Sequence, residues 1–551
     1  MKTSSDSKCL DKVNLRFFFV IFFAGFLFLS ETGLPASLSD PLKSIPVLFK
    51  GRFIPLQVYV KNKIKEFPES SDSLSDAEVV RSLVSMHFLG PENQSEKEFN
   101  TFLSGLKNQN ISPLEIKRSS ELYFPIKTRL ERAGNTFLAL PSAQDPGKWY
   151  SLRCLGLQVY DEQSDKLRPI TNFTFYDNLT FSEIQKSYLD FKSAFEKNSF
   201  EKEAAALSEA LLKGYSSLAG RTYRIRGYEM PGFPSLFRLK LEVLLDTIPI
   251  ALYLWLSYSL CILFFMISYL YPRRTLSFTA SFLCFCAFFL HTAYLIARCY
   301  LLSGPPVSNM AETVLFVPWI AVLSGFSISI FYRTTIPIFC ACIGASVLFA
   351  LLKFSNINLD PENVRAVLNS RFWLTVHVLA VVSSYGAFIL AGILGHLYLA
   401  ASIFPKIRET FLENTGKTIL YSILIGLGLL IPGTILGGVW AAQSWGRFWD
   451  WDPKESWAFI TACTYLISIH AYYFKIIRDF GLAISSIVGL TVVGFTWYGV
   501  NYILGTGLHS YGFGKGGESF FYLYLFVEIN FLVFISLVRY LKSPYIENHK
   551  I

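Results

Sequence analysis

The feature that most constrains this chain is a series of apolar runs, several longer than 18 residues, that fills almost everything after Leu244. A helix rises ~1.5 Å per residue, so a run of that length crosses the ~30 Å hydrocarbon layer of a bilayer. The runs predict spans at 247–271, 276–301, 312–331, 335–353, 372–403, 418–440, 457–476, 482–504 and 519–540. A further run, Phe17 to Leu29, follows Lys2, Lys8, Lys12 and Arg16 and reads as a signal peptide or signal anchor over residues 1–31. Leu34-Pro35-Ala36 makes a poor cleavage site, which favours the anchor and a total of ten crossings. The expected class is mainly α, a polytopic transmembrane helix bundle. An apolar content of 52% agrees with it.

The formal charge of +9 does not mark a nucleic-acid partner, because the basic residues cluster at the ends of apolar runs. Arg273, Arg274, Arg333, Lys406, Arg408, Lys475, Arg478, Arg539 and Lys542 all fall on one side, which the positive-inside rule makes cytoplasmic. The opposite side then receives residues 303–309, 355–371, 440–457 and 505–518, together with the polar region 32–243. That region carries short alternating stretches (Ile45 to Phe49, Phe137 to Leu140, Leu155 to Tyr160) and a charged helical stretch from Phe195 to Leu212. It predicts an exported α+β domain. It shows no catalytic pattern, and its one histidine, His87, reads as a surface or core residue.

The nine cysteines form no Cys-x-x-Cys pair and lie mostly inside apolar runs, so they suggest neither a disulfide framework nor a zinc site. No Cys-x-x-Cys-His is present, so the chain has no c-type haem attachment site of its own. The glycine-rich loop after Gly505 lacks the Gly-Lys-Ser/Thr ending of a phosphate-binding loop.

The densest chemistry lies between two spans. Trp440, Trp445, Trp449, Trp451 and Trp457 are five of the chain's ten tryptophans within 18 residues, and Asp452-Pro453-Lys454-Glu455 sits among them. An interfacial belt explains tryptophans at a membrane surface. It does not explain the charged set or such density on one side. Indole faces stack on a large planar π-system, and their N–H groups reach its polar edge. Two histidines share that face. His377 lies about 9 Å into the span that begins near Arg371, and His509 lies in the loop after Gly505. Neutral imidazoles beside an aromatic shelf suit axial ligation of haem iron. His470 and His291 lie at matched depths, about 16–20 Å from that face, and are a candidate intramembrane pair. His396, near the cytoplasmic end of its span, is a candidate to receive incoming haem. Glu528, with Asn530 close by, is a candidate polar contact inside the bundle, and Arg447 and Lys454 are candidates to pair with propionates on charge grounds.

The segment Trp445-Gly-Arg-Phe-Trp449-Asp-Trp451-Asp452-Pro453-Lys454-Glu455-Ser-Trp457 resembles the tryptophan-rich WWD domain of the haem-handling superfamily. His377, His509, His470 and the Pro306 to Glu312 segment are similar to motifs of the CcsA (ResC) cytochrome c synthetase family. The resemblance covers roughly residues 245–542, within a membrane domain taken as 244–551. It implies cytochrome c biogenesis in which haem b is the substrate, held by His377 and His509 above the tryptophans. The thiols of an apocytochrome Cys-x-x-Cys-His motif would add across its vinyl groups, a holocytochrome c synthase-type haem lyase activity. The implied location is the bacterial inner membrane, with residues 440–457 and the exported domain on the periplasmic side. The implied partners are a CcsB (ResB)-like membrane subunit, apocytochrome c and thiol-reducing proteins. Three rivals remain: the haem lyase or exporter of the other maturation pathway, a cytochrome b-type quinol-oxidising subunit with facing histidine pairs inside the bilayer, and a solute transporter.

Overall fold

The computed structural model describes residues 45–49, 52–65, 138–141, 149–151, 158–161, 166–169, 178–196, 201–218, 223–225, 228–230, 234–302, 304–307, 309–354, 371–404, 407, 409–505 and 518–541. The N-terminal run, His87, the loop 355–370, and His509 lie outside the described residues. The chain divides into two compact units, Met1–Pro249 and Ile250–Ile551.

In the first unit, β1 (Pro46–Phe49) pairs antiparallel with β2 (Arg52–Pro55), in register from Pro46 opposite Pro55 to Phe49 opposite Arg52. With β3 (Leu138–Pro141) and β4 (Trp149–Ser151) they form a sheet of order β2-β1-β3-β4. Helix α1 (Leu56–Lys65) follows β2 directly. Two antiparallel pairs, β5 (Gln158–Asp161) with β6 (Lys166–Pro169) and β7 (Tyr223–Ile225) with β8 (Tyr228–Met230), complete the strands. Helix α2 (Asn178–Glu196) buries Phe181, Ile184, Tyr188 and Phe191, a spacing of three and four that puts all four on one face. That face packs on α3 (Glu201–Ser216), which buries Leu207, Leu211 and Tyr215 at the same spacing. The charged stretch expected from Phe195 to Leu212 thus starts its helix at Glu201, while α2 ends at Glu196. Helix α4 (Leu236–Thr247) closes the unit, its first turn capped by the Ser235 hydroxyl, which accepts from the Arg238 N–H.

The second unit is a helix bundle. Its elements are α5 (Ile250–Leu270), α6 (Arg274–Leu302), α7 (Met310–Tyr332) and α8 (Ile336–Phe354), then a single turn Arg371–Trp373 and a π-helical turn Leu374–Val378. These lead into α9 (Leu379–Ser402), α10 (Glu409–Trp445), α11 (Pro453–Tyr473) and α12 (Asp479–Gly494). A second π-helical turn, Phe495–Leu504, and α13 (Glu518–Leu541) end the unit. Among the described residues, eight helices are long and apolar enough to cross a membrane. The ninth span expected there forms as α11, a 21-residue helix, but its composition falls short because it carries Lys454, Glu455, two threonines and His470. The chain is a multi-pass membrane protein.

Helix α9 is the centre of the bundle, with 67% of its span buried, and α13 the periphery, with 17%. Lipid chains are as apolar as leucine, so close packing and polar contacts hold such helices together. Phe388 of α9 shows both means of close approach. It stacks on Tyr465 of α11 with centroids 4.0 Å apart and planes 5° apart, and it fills the place where Gly426 of α10 has no side chain. The polar contact expected at Glu528 is present: its carboxylate accepts from His396 Nε2 at 2.9 Å, tying α13 to α9. Asn530 bonds only its own helix, at the Phe526 carbonyl.

Candidate functional site

The starts of α7 and α11, the first π turn with the start of α9, the end of α10 and the second π turn come together at one place in the bundle. There they enclose a cavity of about 200 Å³. Its lining includes Asn309, Thr313, His377, Tyr385, Gly437, Trp440, Trp445, Trp449, Lys454 and Trp497.

His377 is placed by the first π turn, a widened turn of the kind that recurs at functional sites. Its Nδ1 donates to the Gly433 carbonyl at 2.7 Å. That bond fixes the proton on Nδ1 and leaves the lone pair on Nε2, the tautomer a metal-ligating imidazole needs. The ring lies against Gly437, where a Cβ would stand 2.5 Å from its Cε1, and meets Trp440 edge-on at 5.9 Å. Four residues before His377, Trp373 ties the turn to the end of α10 through Nε1–H to Gln443 Oε1 at 2.9 Å.

The tryptophan segment separates into two groups. Trp440, Trp445 and Trp449 line the cavity. Trp451 has φ +56, a left-handed backbone that is rare for so bulky a residue, and its ring stands outside, 68% exposed, edge-on to Trp449. Trp457 packs on Phe495 with centroids 4.1 Å apart, and its carbonyl accepts the hydroxyls of Thr461 and Thr496. Asp452 and Pro453 build the start of α11 instead of facing the cavity. Asp452 is the N-cap, accepting from the Lys454 N–H at 2.9 Å, and Pro453 takes the first helical position. Glu455 completes a capping box by accepting from the N–H groups of Asp452 and Asp450. The Asp-x-x-Glu spacing with Pro after Asp spells this cap in the sequence.

One cation, Lys454, lines the cavity, and a second, Arg447, lies against the lining residue Trp445. The Lys454 Nζ reaches the Trp497 carbonyl at 3.2 Å, and burial pushes its ammonium down to about 7 against the opposing pull of Asp452. Arg447 lies 5.6 Å above the Trp445 ring, with Asp450 Oδ2 at 3.4 Å and Glu455 Oε1 at 4.0 Å. Its Nη1 and Nη2 are shielded from solvent yet make no hydrogen bond among the described residues.

Trp497 lies inside an apolar run, with no motif around it to mark it. The second π turn brings it into the wall, where its Nε1–H donates to Thr313 Oγ1 at 3.0 Å and its ring lies 5.9 Å from Tyr385. The Pro306 to Glu312 segment is the facing wall. Asn309 caps α7, accepting from the Glu312 N–H, and Glu312 pairs with Arg298 in a fully buried contact of 3.4 Å.

The other histidines stand apart. His291 is fully buried, with Nδ1 bonded to the Tyr258 hydroxyl and Nε2 to the Leu315 carbonyl. His470 is on an exposed face of α11, its Nδ1–H donating to the Leu466 carbonyl. Matched depth therefore does not pair them. His396 also has both ring nitrogens engaged, by the Gly392 carbonyl and Glu528. Neither His291 nor His396 thus offers the nitrogen that a permanently bound haem between facing helices requires.

The family described as Cytochrome C assembly protein matches residues 307–509, which contain all the residues that line this cavity. The chain is 32% identical over 235 residues to the cytochrome c biogenesis protein CcsA of Guillardia theta, covering 38% of this chain and 76% of that protein. It is 31% identical over 217 residues to CcsA of Chlamydomonas reinhardtii, covering 61% of it. Protein NrfI of Wolinella succinogenes is 35% identical over 240 residues, but the chain spans only 25% of its length. With most of a CcsA protein matched, and the matched residues closing around one cavity, the chain belongs to the CcsA family of cytochrome c biogenesis proteins.

Proposed function

We propose that the cavity holds haem as a substrate and presents it for thioether attachment to an apocytochrome c. The observation that carries this reading is His377, an imidazole held through Nδ1 by the Gly433 carbonyl, in a cavity walled by Trp440, Trp445 and Trp449. Each part of the ligand has a complement. The indoles flank a planar macrocycle, His377 supplies one axial nitrogen, and His509 from the loop after Gly505 supplies the other. Lys454 in the lining, and Arg447 beside the ring of Trp445, receive the propionates. The acceptor's two thiols add across the two vinyl groups, each S–H proton passing to the vinyl carbon. The acceptor's histidine displaces one of the two synthetase imidazoles.

His470 belongs to the route of supply. Its exposed ring, with the proton held on Nδ1, suits an axial ligand whose partner comes from another protein, and a ResB-like membrane subunit is the class we propose. The residues 440–457 would then face the periplasm, opposite the arginine- and lysine-rich ends.

The test is the absorption spectrum of the purified protein beside His377→Ala and His509→Ala, made in cells that synthesise haem. A bis-imidazole spectrum that shifts or weakens in both variants is expected. Haem-free wild type, or a spectrum unchanged in both variants, would remove haem from this cavity.

A further inference from the structure

Away from the cavity, three cysteines from three helices meet at one buried point. Cys261 of α5, Cys284 of α6 and Cys342 of α8 are 1%, 0% and 0% exposed, and their sulfurs all lie within 4.8 Å of one another. Cys284 and Cys342 are the closest pair, Sγ to Sγ at 3.4 Å. Three sulfurs bound to one ion at ~2.3 Å in a trigonal plane stand ~4 Å apart, and the observed separations bracket that spacing. The helices already hold the donors where an ion would need them, with little backbone change required.

From this geometry we propose that Cys261, Cys284 and Cys342 form an intramembrane site for a soft monovalent metal ion, copper(I). Sulfur donors select soft ions, and three of them with no fourth histidine, cysteine or carboxylate in the group suit three-coordinate copper(I). Structural zinc takes four ligands. Thiolate is the metal ligand, so Cu(I) displaces the three thiol protons to solvent as it binds, and the bound ion offsets part of the charge left on the sulfurs. Cys261 and Cys284 precede the family match at 307–509, and Cys342 lies within it but is not among the residues that line the cavity.

The test uses the full-length protein, purified anaerobically in detergent and titrated with Cu(I) against the chelator bicinchoninate, with bound metal counted by mass spectrometry. One copper per chain is expected, with three protons released. Cys261→Ala, Cys284→Ala and Cys342→Ala should each weaken binding at least tenfold. Cys340→Ala, equally buried but outside the trio, should not. X-ray absorption on the wild type gives a readout that needs no variant: three sulfur neighbours are expected at ~2.3 Å. Copper retained by the triple variant, a wild type that binds none, nitrogen or oxygen neighbours, or a Cys284–Cys342 disulfide in the anaerobic protein would each overturn the site.

Discussion

At Gly437 a methyl group has no room: it would stand 2.5 Å from His377 Cε1, 2.9 Å from Nδ1 and 3.1 Å from Nε2. In a helix interior Gly→Ala normally stabilises, by up to ~1 kcal/mol. Here the ring must move, and its bond to the Gly433 carbonyl is lost with it. Gly437→Ala is therefore expected to weaken haem binding at least tenfold, read by spectral titration. Gly428→Ala on the same helix, where a Cβ meets nothing within 4 Å, should bind as the wild type does. The sequence pointed to His377 by its residue type and its depth. It could not point to the glycine bed beneath it, because that depends on which face of α10 meets the π turn. Trp451 fails the opposite way: it sits in the motif with the other rings, and a left-handed φ sends it outside.

At the scale of elements, the start of α11 is the best-defined piece of local chemistry. Asp452 and Glu455 together accept four backbone N–H groups at a helix end that would otherwise leave its first donors unbonded. Losing such a cap costs ~1 kcal/mol. Asp452→Ala is expected to lower the thermal midpoint and, through Lys454 and Arg447, to weaken haem binding as well. Asp452→Asn keeps an acceptor and should lie close to wild type. A larger loss for Asn than for Ala would deny the cap its role. The cap was legible as Asp-Pro-x-Glu. The two π turns were not, since an extra residue within a helical turn leaves no mark on apolar periodicity. They place His377 and Trp497.

For the whole molecule, because a bilayer tests little else, length and apolarity located the described spans within a few residues, except that α10 starts at Glu409 and not near 418. Rotation about each helix axis was hidden. His291 and His470 share a depth but face different surroundings, one sealed between Tyr258 and Leu315, the other at the exterior. Rotation also decides how α13 is held. With only 17% of its span buried, it relies on the bond between Glu528 and His396. Intramembrane hydrogen bonds average ~0.6 kcal/mol and reach ~1–2. A double-mutant cycle of Glu528→Leu and His396→Leu, measured by detergent-driven unfolding, should return a coupling in the upper part of that range. A coupling of zero would mean that apolar packing alone holds the helix.

The π turn before α9 also makes the aim of His377 a matter of residue count. One residue fewer between Leu374 and Val378 would restore an ordinary helix and swing everything upstream by ~100° about its axis. Trp373 would then lose Gln443, while α9, the most buried helix, kept its own packing. The segment Arg371–Val378 can thus drift in sequence more freely than it can gain or lose a residue. Among CcsA relatives, an alignment gap here would mark a differently built site.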